Sequence, residues 1–304
     1  MLTLDVGGRT AVADFGGRGP VMVLLHGLGG SHVNWMRLGP TLAEGARVLA
    51  PDLPGFGYSP PAGRSVGVQA NAAWLDRFLR EVAGTPAILV GNSMGGLISI
   101  LEAANNPHHV AGLVLLDPAF PLAPKEPLDL QVVMAFAAYS VPGIGEVFVR
   151  RRSRTLGPEG LVRETFRLCC VDPGRVPRDV IEAHEAVVRD RMRMRWANPS
   201  VLRAARTMIR LLLRRQRFRE VLQRVRAPTL LINGEGDRLV KMAAVRVASE
   251  DRPDWTFRPL DGVGHTPQLE DPVRTAAEIR AWLEGPGRAA LGAAAVAPEP
   301  VEAP

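Results

Sequence analysis

The chain has 304 residues, 46% hydrophobic and 22% charged, with a formal net charge of +6, which suits one large globular domain or a domain with a sizeable insertion. No apolar run reaches the roughly 20 residues of a membrane span, and residues 1–20 lack the basic start and apolar centre of a signal peptide. The only cysteines, Cys169 and Cys170, are neighbours, so no disulfide framework is expected and the cytoplasm is the expected compartment.

In chain order, residues 2–6 and 10–15 alternate apolar and polar around Gly7-Gly8, the pattern of a β-hairpin. Short apolar runs follow at 21–25, 47–50, 87–90 and 112–116, with helical periodicity between them, as at 68–82. Strands alternating with helices imply a mostly parallel sheet. The pattern breaks after Pro118: residues 119–226 carry little strand signal and are expected to be helical, with the best segments at 128–139, 180–195 and 201–225. Strand-like runs resume at 229–233 and 256–260, and a last helix is expected at 272–283. The expected organisation is therefore a core of residues 1–118 and 227–284, interrupted by a helical insertion at 119–226 and followed by a disordered tail at 285–304.

Charge is concentrated in the insertion. Residues 150–226 hold 21 Arg and no Lys against 8 acidic residues, while the rest of the chain is acidic overall. Such a segment suits an anionic substrate, an acidic partner or a lipid surface, and equally a set of solvated helix faces. The basic, Leu-rich stretch 208–225 is the candidate for membrane-surface contact. Nucleic acid is not expected, because the basic residues lack interleaved aromatics or a recognised module.

The strongest chemical signal is residues 88–96 (ILVGNSMGG), in which an apolar strand runs into Gly91-x-Ser93-x-Gly95 and a helical pattern follows. A sharp strand-to-helix turn exposes the serine hydroxyl and points the first helical amides at an oxyanion. A serine needs a base. His32, His108, His109 and His184 sit in solvated contexts, and His26 ends a strand. His265 lies on a Gly-flanked loop beyond the last strand (262–272, GVGHTPQLEDP), which makes it the base candidate. The group that orients it is expected to be Asp237, in the loop after a strand (231–238, LINGEGDR), with Asp117 and Glu235 as rivals. No metal-ligand spacing or nucleotide-binding glycine pattern is present, so no cofactor is expected.

Taken together, residues 25–31 (LHGLGGS), 52–59 (DLPGFGYS), Gly91-Asn92-Ser93-Met94-Gly95-Gly96, Asp237 and the His265 loop resemble the α/β-hydrolase superfamily. They look closest to the serine branch with carboxylesterases, lactonases, cofactor-free haloperoxidases and meta-cleavage-product carbon–carbon hydrolases. The resemblance covers residues 2–118 and 226–283, and makes the insertion the family's variable cap. It implies the α/β-hydrolase fold, with the backbone amides of Leu28 and Met94 as the oxyanion hole and His26 as a residue that orders the oxyanion loop. It also implies a small, hydrophobic acyl or ester substrate, which a cap arginine could favour if it is anionic. Serine at position 93 argues against epoxide hydrolases and haloalkane dehalogenases, which carry Asp there. Carbon–carbon hydrolases usually have Trp after the catalytic histidine, whereas this chain has Thr266. The rivals to an esterase are a carbon–carbon hydrolase, an acyltransferase, lyase or perhydrolase using the same triad, and a non-catalytic binding protein.

Overall fold

The computed structural model describes residues 1–84, 86–123 and 129–294. Its centre is a sheet of eight strands: β1 (Leu2–Asp5), β2 (Arg9–Gly16), β3 (Val21–Leu25), β4 (Arg47–Pro51), β5 (Ala87–Asn92), β6 (Val110–Leu116), β7 (Thr229–Gly234) and β8 (Thr256–Leu260). The spatial order is β1-β2-β4-β3-β5-β6-β7-β8. β1 pairs with β2, and β2 with β4, antiparallel; every later pair is parallel. The β1–β2 turn takes positive φ at Gly7 and Gly8, a region open to glycine at little cost.

Every residue of β3, β5, β6 and β7 is buried, which is why these strands read as unbroken apolar runs and not as alternations. Successive side chains serve opposite layers. Val23, Leu25, Leu89 and Leu113 pack with α2 (Val68–Phe78), α3 (Met94–Asn105), α8 (Arg215–Arg224) and α9 (Met242–Asp251). Leu24, Val90, Val114 and Ile232 pack with α1 (Leu38–Leu42), α11 (Pro272–Glu284) and α12 (Arg288–Ala293). Each fully buried aliphatic side chain contributes roughly 1.5–3 kcal/mol relative to exposure.

Between β6 and β7 the chain forms α4 (Leu130–Ser140), α5 (Ile144–Cys169), α6 (Arg178–Arg193), α7 (Ala197–Leu212) and α8. Helix α5 was not among the expected segments. It bends at Gly157, whose φ of 64° precedes Pro158, and this pair hides a long helix from a periodicity reading. The single helix expected at 201–225 is two, because Leu213 and Arg214 end α7 and start α8. Their Met208, Leu211, Phe218, Val221 and Leu222 are buried, whereas Leu213 between the two helices is exposed, so most of the apolar side chains in the stretch expected to meet a membrane are packed inside the protein. Among the described residues, no helix is long and apolar enough to cross a membrane.

The helical segment is tied to the sheet by polar contacts. Arg191 of α6 is buried with its guanidinium over the Phe56 and Trp196 rings, 5.6 Å from each centroid, and Tyr58 donates to Asp190 at 3.0 Å. Burial lowers the pKa of Arg191 to about 10. Of the other arginines here, Arg152, Arg189, Arg206 and Arg219 pair with Glu164, Glu159, Glu146 and Asp251.

The tail requires a correction. Residues 285–294 are ordered by packing: α12 buries Ala290 in the layer holding Trp282, and Gly112 of β6 leaves the space it fills. A run of Ala and Gly without polar alternation gives no amphipathic signal, so this contact was not visible in the sequence. Residues 295–304 lie outside those described.

Candidate active site

β5 ends at Asn92, and the chain turns through Ser93 into α3. Ser93 has φ 53° and ψ −117°, a conformation L residues adopt at a cost of about 1–3 kcal/mol when the surroundings impose it. The surroundings do so. The Ser93 amide donates to the Leu116 carbonyl at 3.1 Å, and the Ser93 carbonyl accepts from Leu97 at 3.1 Å and Ala119 at 3.0 Å. A Cβ at Gly91 would lie 2.6 Å from the Gly96 nitrogen, so a small residue is required on that side of the turn. Ser93 is only half-buried, whereas its neighbours Asn92 and Met94 are buried.

Met94 is the first residue of α3, and its amide is among those a helix leaves without an internal partner. The loop after β3 passes against the serine, since a Cβ on Gly27 would come within 3.2 Å of the Ser93 Cβ. Leu28 follows Gly27 on that loop. His26 is fully buried and its ring is used on both sides: Nε2 accepts from the Leu53 amide at 3.1 Å, so Nδ1 donates to the Gly27 carbonyl at 2.9 Å. Burial lowers the pKa of His26 to about 4, so it is a neutral brace between the Gly27 loop and the 52–59 turn.

His265 lies on the loop between β8 and α10 (Pro267–Glu270), 5% exposed. Its Nδ1 is 2.7 Å from Asp237 Oδ2, and Asp237 Oδ1 accepts the Leu239 and Val240 amides at 2.7 and 3.0 Å. A carboxylate held by two amides is fixed in orientation. It in turn fixes the proton on Nδ1 and leaves Nε2 as the acceptor. Asn92 Nδ2 donates to the His265 carbonyl at 2.9 Å, which binds the histidine loop to the residue before Ser93.

The rivals are separated by geometry. Glu235 is exposed. Asp117, at the end of β6, is wholly buried and accepts the Gly234 amide at 2.9 Å, while Asp237 holds the ring nitrogen. The sequence reading missed several supporting residues. Glu270 accepts the Gly264 amide and the Asp172 amide, each at 2.7 Å, so it joins the histidine loop to the end of α5. The Cys169 carbonyl accepts the His265 amide at 2.6 Å. Phe166, Val180 and Leu269 share a small apolar cluster that seats α10 against α5 and α6. Only Glu270, immediately before a helix-starting Asp-Pro-Val, offered a sequence signal, and it reads there as an ordinary surface acid.

Among the described residues two groups of potential metal-ligating side chains each bring their atoms within 4.8 Å: Asp117, Asp237 and His265, and separately Asp76, Glu102 and His109. In the second, Asp76 is already bonded to His109 Nδ1 at 2.7 Å and Arg80 Nη2 at 3.0 Å.

The α/β hydrolase fold family description matches residues 20–272. A pimeloyl-[acyl-carrier protein] methyl ester esterase from Aromatoleum aromaticum is 33% identical over 268 residues, covering 88% of this chain and 99% of that protein. A 2-hydroxy-6-oxo-2,4-heptadienoate hydrolase from Pseudomonas putida is 30% identical over 206 residues, 62% of this chain and 74% of that protein. The solved structure of a thermophilic esterase from Thermogutta terrifontis superposes with a TM-score of 0.71 at 25% identity, covering 92% of this chain and 94% of that one. The chain belongs to the α/β-hydrolase fold family, and it is a hydrolase.

Proposed function

We propose that the protein is a serine hydrolase that cleaves a carboxylic ester, or a related acyl bond, through an acyl-enzyme formed on Ser93. The observation that carries this reading is the 2.7 Å contact between His265 Nδ1 and Asp237 Oδ2, on a loop that Asn92 ties to the strained Ser93 turn. In this mechanism His265 Nε2 takes the Ser93 proton as the hydroxyl attacks the carbonyl carbon, and Asp237 stabilises the imidazolium that results. The amides of Leu28 and Met94 hold the tetrahedral oxyanion, each such donor being worth roughly 3–4 kcal/mol in the transition state. The alcohol leaves with the proton from His265. Water, deprotonated by the same ring, then releases the acid.

Helices α4–α8 act as the cap over the serine in this reading, and the substrate is a small acyl ester. The 33% identical relative is named for a methyl ester on an acyl-carrier protein, and the arginine-rich helices suit an ester that carries or accompanies negative charge. The relative named for 2-hydroxy-6-oxo-2,4-heptadienoate supports a second reading, carbon–carbon bond hydrolysis with the same three residues. Thr266, whose hydroxyl is 3.5 Å from Cys170 Sγ, stands against it, since that class usually has Trp there. Both thiols are buried and unpaired, which suits a reducing compartment such as the cytoplasm.

The test is turnover of short p-nitrophenyl esters and of a dienone acid by the native chain and by Ser93→Ala. We expect ester turnover by the native chain and a loss of at least about 10³-fold in the variant. Native-level turnover by Ser93→Ala would remove Ser93 from the mechanism, and a preference for the dienone acid would favour the second reading.

A further inference from the structure

The loop that holds Asp237 packs against a second carboxyl group which the proposed mechanism does not use. Asp117 ends β6 with φ 45°, one of three non-glycine residues at positive φ among those described. It is fully buried. Its Oδ1 accepts the Gly234 amide at 2.9 Å, but its Oδ2 meets no hydrogen-bond donor. The facing atoms of Asp117, Asp237 and His265 are all within 4.8 Å of one another. Asp237 has its own oxygens occupied by two backbone amides and the imidazole N–H, all of which donate to it.

Two ionised carboxylates so placed between buried strands would repel strongly, because the interior screens charge poorly. Among the described residues neither carboxylate pairs with an arginine or lysine: Arg238, the nearest arginine in sequence, is turned to Asp129 at 2.6 Å. The other titratable groups facing Asp117 are His265, Cys169 and Glu270, and Glu270 adds to the negative field. An unpaired buried acceptor oxygen is costly in itself. One proton removes both problems, because it turns the orphaned Oδ2 into a donor and the neighbouring Asp237 into its acceptor.

We propose that Asp117 is a positioning residue that remains protonated at neutral pH and donates a hydrogen bond to Asp237, so that the pair carries one negative charge. Burial first, and the charge of Asp237 second, hold the Asp117 carboxyl well above the usual carboxylate range. The consequence for the proposed mechanism is geometric and electrostatic. Asp237 receives a further donor that fixes its orientation toward His265, and the imidazole faces one unit of charge. This role in catalysis rests on the Ser93–His265–Asp237 reading, whereas the shared proton does not.

The experiment is infrared difference spectroscopy of the native chain against Asp117→Asn at pH 8, in H2O and D2O. We expect the native protein to show the carbonyl stretch of a protonated, buried carboxyl group that moves on deuteration and is missing from the variant. Glu102 contributes equally to both spectra and cancels. Absence of the band at pH 8 overturns the proposal, whatever the identity of the nucleophile. The pH profile of kcat/KM supplies a second readout, because an asparagine amide can still accept from Gly234 and donate to Asp237. Asp117→Asn should keep the acid limb within about 0.3 pH unit of the native one, whereas Asp117→Ala should move it up by about one unit as Asp237 loses its donor. Equal movement in both variants would also overturn the proposal. Should the alanine variant fail to fold, the infrared comparison decides alone.

Discussion

Gly95 and Glu102 are two turns apart on α3 and show how unequal the demands on single residues are. A Cβ at Gly95 would collide with the carbonyl oxygens of Leu25 and His26, so α3 can start against β3 only with glycine there. Gly95→Ala should cost about 3 kcal/mol or more in chemical unfolding, because the obstacle is backbone that cannot move aside. Gly45→Ala, where the added carbon meets nothing within 4 Å, should change stability by less than about 0.5 kcal/mol. Equal effects at the two sites would mean that the turn around Ser93 is looser than described. Glu102 presents the opposite problem, a buried carboxyl with an unpartnered Oε1 whose pKa burial raises to about 7. A raised carboxyl pKa favours folding less as pH climbs from the unfolded value toward 7 and beyond, since the native state must then bury a charge. Glu102→Gln should therefore stabilise the protein at pH 8 by about 1–2 kcal/mol and leave it nearly unchanged at pH 4. A gain at pH 4 and none at pH 8 would contradict that sign.

At the scale of elements, the candidate site is an assembly of strand ends. β5 supplies Ser93, β6 supplies Asp117, the loop after β7 supplies Asp237 and the loop after β8 supplies His265. The parallel order of these four strands puts their C-terminal ends side by side, where loops can converge. What sets the histidine loop at the right height is α10 and Glu270, whose two oxygens hold Gly264 on one side and Asp172 on the other. Glu270→Gln would turn one acceptor into a donor facing an N–H group. The expected loss is about 1–3 kcal/mol in stability, with kcat for a short ester reduced at least tenfold and KM changed less. A variant that melts and turns over like the native chain would show that this bridge does not govern the position of His265. The link also couples the helical segment to the site, since Asp172 and Cys169 both belong to the exit of α5.

Across the whole molecule, legibility in the sequence followed locality. The strands buried on both faces announced themselves as apolar runs, and the 91–95 motif could be placed on a strand-to-helix turn because its flanks carry their own periodicity. Asp237 could be put forward from its place in a Gly-containing loop and from chain order, with Asp117 left as a rival, but the reason Asp117 sits behind it depends on the register of β6 against β7, which no local pattern encodes. The same limit applies to α12, whose burial depends on a missing side chain at Gly112, far away in sequence. It applies again to the break at Leu213, where the apolar spacing continues across two helices that point their faces into one core. The helical segment was legible as helix and not as surface: most of the apolar side chains of the 208–225 stretch are packed inward, with Leu213 left exposed. The central claim is that one residue, Ser93, is the nucleophile of a hydrolase built on this sheet edge. Peptide mapping by mass spectrometry after treatment with a fluorophosphonate tests it most directly. The account predicts a single phosphonyl adduct per chain, on the peptide containing Ser93, and none in Ser93→Ala; an adduct on another residue, or one that survives that substitution, would contradict it.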